Sequence, residues 1–158
     1  MRELGKNGFG KLLASIFLTL GTGLLAGFLT STQTQWYQGL VKPFFQPPGW
    51  LFGPVWTVLY VLMGVSLYMV WKEGFKGNRN AILVFLIQLL LNFTWSIVFF
   101  SMQNLVLAFV NILALIAAIT FTYREFRKVS RRAGQLLLPY LAWVSFATLL
   151  NLTLLLLN

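Results

Sequence analysis

Charged residues in this chain come in blocks, and the stretches between the blocks are almost wholly apolar. From Leu12 to Trp71 the single charge is Lys42; there is none from Asn80 to Tyr123 and none from Ala133 to Asn158. An uncharged apolar run of about 20 residues has the length of a helix that crosses a bilayer. Five such runs are predicted, over residues 12–31, 51–71, 80–101, 105–123 and 134–157. The expected fold class is all-α: an integral membrane bundle of five transmembrane helices, in one domain spanning residues 1–158. Only Met102-Gln103-Asn104 separates the third run from the fourth, so those two helices should be antiparallel neighbours.

Composition agrees with this pattern. The chain is 58% hydrophobic and 9% charged, against roughly 25% charged in a soluble domain, which leaves too little polar surface to cover a water-soluble core. Arg2, Lys6 and Lys11 ahead of the first run resemble a signal peptide. The run is long, however, and Ser31-Thr32-Gln33 is a poor small-x-small cleavage site, so a retained helix is expected. With five spans, the N-terminal segment and the loops at 72–79 and 124–133 share one side. They hold eleven of the twelve basic residues, and the other side holds Lys42 alone. The positive-inside rule puts the N-terminus in the cytoplasm and the C-terminus outside, in the cell membrane. The same rule accounts for the net charge of +9. No nucleic-acid partner is expected, because the basic groups lie in short juxtamembrane loops; membrane lipid, with anionic headgroups, is the expected partner.

The segment 36–60 is unusual. It carries eight aromatic residues, namely Trp36, Tyr37, Phe44, Phe45, Trp50, Phe52, Trp56 and Tyr60, and four prolines, Pro43, Pro47, Pro48 and Pro54. Proline lacks an N–H and disfavours helix before it, so residues 32–50 read as an ordered aromatic loop, suited to wall off a flat apolar ligand. At helical spacing, Phe52, Trp56, Tyr60 and Gly64 share one face of the second span. Gln88, Asn92, Trp95, Ser96 and Phe99 share a face of the third; Tyr140, Trp143, Ala147 and Leu150 or Asn151 share one of the fifth. Polar groups facing lipid would be unsatisfied, so these faces should turn inward. Two readings fit them: a ligand cavity beneath the aromatic loop, or bundle packing in which Gln88, Asn92 and Asn151 bond between helices.

Smaller signals are read structurally. Gly23-x-x-x-Gly27 predicts a close helix contact or a dimer face. Gly21-x-Gly23-x-x-Ala26 imitates a dinucleotide fingerprint but sits inside an apolar span with no strand before it. Trp36, Trp50 and Trp71 are candidates for the interfacial aromatic belt, Trp71 foremost. Asn111 reads as packing glue.

At this point the residues resemble a known family. Trp36-Tyr37-x-x-Leu40-x-Lys42-Pro43 is followed by Pro47-Pro48-x-Trp50-x-Phe52-x-Pro54-x-Trp56-x-x-Leu59-Tyr60-x-x-Met63-Gly64. Gln88-Leu89-x-Leu91-Asn92-x-x-Trp95-Ser96-x-x-Phe99-Phe100 and Pro139-Tyr140-x-x-Trp143-x-x-Phe146-Ala147-x-x-Leu150-Asn151 come later. In register across nearly the whole chain, these motifs resemble the TspO/MBR family of tryptophan-rich sensory and translocator proteins. The resemblance implies a five-helix membrane bundle, often a homodimer, that binds porphyrins and, in animal mitochondria, cholesterol and benzodiazepine-type ligands. Some bacterial members are associated with light-dependent breakdown of protoporphyrin. Carried onto this chain, the family's pocket points to Tyr37, Pro47, Phe52, Trp56, Tyr60, Asn92, Trp95, Ser96, Trp143, Ala147 and Leu150. The animal members' C-terminal cholesterol motif is missing, since Leu-Thr-Leu-Leu-Leu-Leu-Asn follows Asn151. Val65-x-x-Tyr68-x-x-x-Lys72 fits the same loose pattern elsewhere. Sterol binding is not expected.

Absent residues narrow the function. There is no His, Cys or Asp, and the acids Glu3, Glu73 and Glu125 fall at or beyond the predicted helix ends. A hydrolytic triad, a carboxylate dyad or a His-rich metal site cannot be assembled, and no metal or cofactor is expected. Proton-coupled transport lacks a buried carboxylate, and haem lacks its commonest axial ligand. What remains is a protein that binds a porphyrin or another flat hydrophobic molecule, for sensing or transport. The alternative is oxidative chemistry on that ligand, with Trp56 and Trp143 as the candidate catalytic residues.

Overall fold

The computed structural model describes residues 6–158; Arg2 and Glu3 lie outside the described residues. Five helices are long and apolar enough to cross a membrane, over Asn7–Leu29, Gly49–Trp71, Arg79–Ser101, Leu105–Val129 and Arg131–Leu157. They are built from α1 (Lys6–Leu29), α3 (Gly49–Trp71), α4 (Arg79–Ser96), α5 (Leu105–Val129), α6 (Arg131–Leu136) and α7 (Leu138–Leu157). A short α2 (Gln35–Gly39) stands in the aromatic loop.

The ends of these helices follow from local chemistry. Pro48 is the N-cap of α3, with extended backbone, and the helix tolerates Pro54 near its start. Helix α4 runs into a π turn over Ile97–Ser101, closed by a Met102 N–H to Ile97 O bond of 2.9 Å. Asn104 then caps α5, its side chain accepting from the Leu107 N–H at 2.9 Å. The expected end of this helix at 123 is too early: α5 continues to Val129, so Glu125 lies within it and pairs with Lys128 one turn on. Apolarity marks where a helix leaves the membrane, not where its hydrogen bonding stops. The fifth span is broken at Leu137, since Pro139 at the start of α7 has no N–H to continue the ladder from α6.

Helix α1 packs along α3, α4 along α5, and α5 along α7, with α6 seated on α3 and α5. The expected α4–α5 pairing is therefore present. Two glycines bring α1 and α3 together. A Cβ at Gly64 would stand 2.7 Å from the Ile16 Cα, and one at Gly23 would run into the Tyr60 ring. The Thr19 hydroxyl donates to the Tyr60 carbonyl across this seam at 2.7 Å. Gly23 thus marks a close contact inside the chain, one of the two readings its motif allowed.

The apolar core includes Met63, Phe85, Ile119, Phe126 and Tyr140, drawn from α3, α4, α5 and α7. A second cluster, around Tyr37, Phe99, Ala108, Leu150 and Leu154, sits below the loop. At the opposite end the Lys11 ammonium lies 5.8 Å over the Trp71 ring, so the basic segments at 6–11 and 72–79 share one end of the bundle.

A candidate ligand cavity under the aromatic loop

A cavity of about 510 Å³ opens in the loop-side half of the bundle. The later part of α1, the start of α3, the end of α4 and the end of α7 line it, with Tyr37 contributed by the loop. Among the described residues, no Lys, Arg, Asp, Glu or His reaches its walls.

Aromatic rings form a continuous surface there. Trp56 stacks on Tyr60 at 5.6 Å, and Phe52 meets Trp143 edge-on at 6.0 Å. Trp95 lies 5.2 Å from Phe99, which packs 4.7 Å from Phe100. The π turn brings these consecutive phenylalanines to the wall together, because its wider turn changes the angle at which successive side chains leave the helix.

A buried chain of hydrogen bonds stands behind the wall. The Tyr60 hydroxyl donates to Asn92 Oδ1 at 2.5 Å, and Asn92 Nδ2 donates to the Tyr140 hydroxyl at 2.9 Å. Tyr140 in turn donates to Gln88 Oε1 at 2.8 Å. Trp95 Nε1 donates to Asn151 Oδ1 at 3.1 Å, and Asn151 Nδ2 reaches the Leu105 carbonyl at 3.2 Å. Four helices, α3, α4, α5 and α7, are thereby tied with the members' polar groups paired, as an apolar bundle requires. The Trp143 Nε1–H is different: it is buried with no acceptor among the described residues.

Tyr37 is fixed from several sides. Its N–H bonds to the Thr34 hydroxyl that caps α2, and Gln46 Nε2 donates to its phenol oxygen at 3.2 Å. The Lys42 ammonium lies 4.8 Å over its ring. Burial raises its pKa above the ordinary phenol value, and the Gln46 bond partly offsets this.

Of the residues singled out in the sequence, Tyr37, Phe52, Trp56, Tyr60, Trp95, Ser96, Trp143, Ala147 and Leu150 line the cavity. Asn92 does not, because both ends of its amide are committed to Tyr60 and Tyr140. Pro47 stays in the loop, off the wall. Gln88 and Tyr140 belong to the supporting chain. Trp50 is 73% exposed, as a belt residue would be, whereas Trp36 packs edge-on against Phe99 at 5.9 Å. Sequence reasoning missed the α1 contribution, including Leu20, Gly23, Leu24 and Gly27. That helix has no aromatic or amide residue on this face; the available signal was the small and hydroxyl residues Ser15, Thr19, Gly23 and Gly27 at helical spacing.

Comparison with known proteins agrees with the motifs. The TspO/MBR family profile matches residues 15–157. The tryptophan-rich protein TspO of Archaeoglobus fulgidus is 47% identical over 149 residues, covering 94% of this chain and 97% of that protein. The human translocator protein is 38% identical over 136 residues, 84% of this chain and 80% of its own length. The tryptophan-rich sensory protein of Cereibacter sphaeroides is 34% identical over 117 residues, covering 74% and 73%. With its five membrane-spanning helices and its tryptophan-rich motifs in register, the chain belongs to the TspO/MBR family.

Proposed function

We propose that the protein binds a porphyrin of the protoporphyrin type, or a related flat apolar molecule, in the cavity under the loop, for sensing or for passage across the membrane. The observation that carries this reading is the wall itself: tryptophan, tyrosine and phenylalanine from α3, α4, α7 and the loop surround about 510 Å³ with no charged side chain among the described residues. That volume falls among those of small-molecule pockets, about 300–1,000 Å³. Ring faces offer stacking to a planar macrocycle, as a flat apolar ligand requires. The names of the relatives, translocator and sensory proteins, fit binding that is read out or passed on. In this reading the loop faces outward and the basic segments face the cytoplasm of a cell membrane, an orientation that the charge distribution supports.

The test is a titration of the purified protein with protoporphyrin in the dark, following tryptophan emission and the porphyrin spectrum together. The reading expects saturable quenching at one porphyrin per cavity with a shifted porphyrin band. Quenching that rises linearly without saturation would reject it.

A second reading rests on the presence of Trp56, Trp95 and Trp143 on one wall. An indole beside a photoexcited porphyrin is an electron donor, and dioxygen would serve as the oxidant that opens the ring. Trp56→Phe and Trp143→Phe should then keep most binding and lose light-dependent conversion. Undiminished conversion in both would leave binding alone.

A further inference from the structure

The loop over the cavity is fastened at a point that the wall does not use. The Asn158 side chain pairs with both backbone groups of Val41: Oδ1 accepts from the Val41 N–H at 2.9 Å and Nδ2 donates to the Val41 carbonyl at 3.1 Å. The same Nδ2 donates to the Leu154 carbonyl at 2.9 Å, which anchors the amide to the end of α7. A primary amide presents a donor and an acceptor side by side, so it matches a peptide group as a neighbouring strand would. The next residue, Lys42, continues the fastening. Its ammonium donates to the carbonyls of Tyr37, Gln38 and Leu40 at 2.7, 3.3 and 3.4 Å. These carbonyls lie at the C-terminal end of α2, where a cation is favoured; that of Tyr37 also accepts from the Leu40 N–H at 3.4 Å. Lys42 has three donors, and all three have acceptors in the loop. It is therefore a pin for Tyr37 rather than an anchor for a ligand's carboxylate.

From Asn158 the line of contacts runs through Val41 and Lys42 to Tyr37, a buried ring of the cavity wall. Asn158 itself is exposed at the rim. Hydrogen bonds that water can replace contribute modestly, so such a fastening opens and recloses readily.

We propose that Asn158 is a positioning residue that latches the loop over the water-facing end of the cavity and sets how fast molecules enter and leave by that route. The proposal takes the cavity as the ligand site, as above. An equilibrium between latched and open loop multiplies the entry and exit rates by the same factor. Loosening the latch changes both rates and leaves affinity nearly unchanged.

The experiment uses the full chain in lipid nanodiscs and needs no ligand in its first arm. The protein has no cysteine, so Ala147→Cys places a single thiol on the cavity wall. Its modification by a charged, membrane-impermeant thiosulfonate reports access from water. Adding Asn158→Ala should speed labelling about fivefold, the factor expected for losing one net hydrogen-bond equivalent. Ser66→Cys, buried in the other half of the bundle, should label at the same slow rate with or without Asn158→Ala. Unchanged labelling at position 147, or equal acceleration at position 66, would overturn the latch. In the second arm, protoporphyrin association and dissociation are followed by stopped flow in the chain without added cysteine. Both rates should rise about fivefold in Asn158→Ala with Kd within about twofold. Faster dissociation with unchanged association would mean that Asn158 only props the wall, and would overturn the proposal. Failure of protoporphyrin to bind any variant would reject the porphyrin reading, and thiol labelling would still decide the latch.

Discussion

Replacing Asn92 by leucine tests the wall's supporting chain directly. Asn92 is 2% exposed and bridges two tyrosine hydroxyls on different helices. Leucine fills similar space and breaks both bonds. Interhelical hydrogen bonds in membranes contribute about 0.6 kcal/mol each, so the pair accounts for about 1.2 kcal/mol. The Tyr60 hydroxyl then keeps no partner in a 6% exposed side chain, a further penalty of about 1–3 kcal/mol. Tyr140 still donates to Gln88 and adds little. Asn92→Leu should therefore destabilise the bundle by about 2–4 kcal/mol, measured as reversible unfolding in mixed detergent micelles. Tyr60→Phe removes the hydroxyl that leucine strands. In the double variant the two losses should fall short of additive by about 1–2 kcal/mol. Additive losses, or an Asn92→Leu cost below about 0.5 kcal/mol, would refute the argument that Asn92 holds Tyr60 against the cavity.

Other outcomes follow from single contacts. Gly23→Ala drives a methyl into the Tyr60 ring and should cost about 1–3 kcal/mol in the same assay, while Gly27→Ala, with open space around it, should be near neutral. Reporter fusions at the two ends should place the N-terminus inside and the C-terminus outside; an active cytoplasm-only reporter at the C-terminus would contradict the charge argument. Because burial raises the Tyr37 pKa, the folded loop holds that proton where the unfolded chain has begun to lose it. Tyr37 therefore favours folding below the ordinary phenol pKa of about 10 and progressively less as pH rises through its own higher value. Tyr37→Phe should flatten the fall in thermal stability at alkaline pH, and an unchanged slope would count against its burial as the cause.

Much of the fold was legible because lipid imposes a simple rule on sequence. A charge-free run of sufficient length must be a span, so Leu12 to Ser31 and Asn80 to Ser101 announced themselves. Where a helix leaves the apolar layer the rule weakens, which is why α5 outruns its apolar stretch by six residues, from Tyr123 to Val129. The inward faces of α3, α4 and α7 could be read because they carry Trp, Tyr, Asn and Gln among aliphatic residues. Helix α1 marks its inner face only with the small residues Ser15, Thr19, Gly23 and Gly27, which signal close packing as readily as a cavity wall. Asn92 was assigned to the ligand because a polar residue on an inward face looks the same whether it meets a ligand or a tyrosine on another helix. Distance separates the two, and one sequence does not contain it. The same is true of the bond between Asn158 and Val41, which joins residues 117 positions apart.

The central claim is that the aromatic cavity is the ligand site, and binding of protoporphyrin to Trp143→Ala and Trp71→Ala, compared with the unaltered protein, tests it most directly. Trp143 lines the cavity. Trp71 lies fifteen residues along α3 from Trp56, about 22 Å at 1.5 Å per residue, beneath Lys11 at the other end of the bundle. Removing one stacking ring costs about 1–3 kcal/mol, so Trp143→Ala should raise Kd about tenfold or more while Trp71→Ala leaves it within about twofold. Equal losses at the two positions, or none at Trp143, would contradict the account.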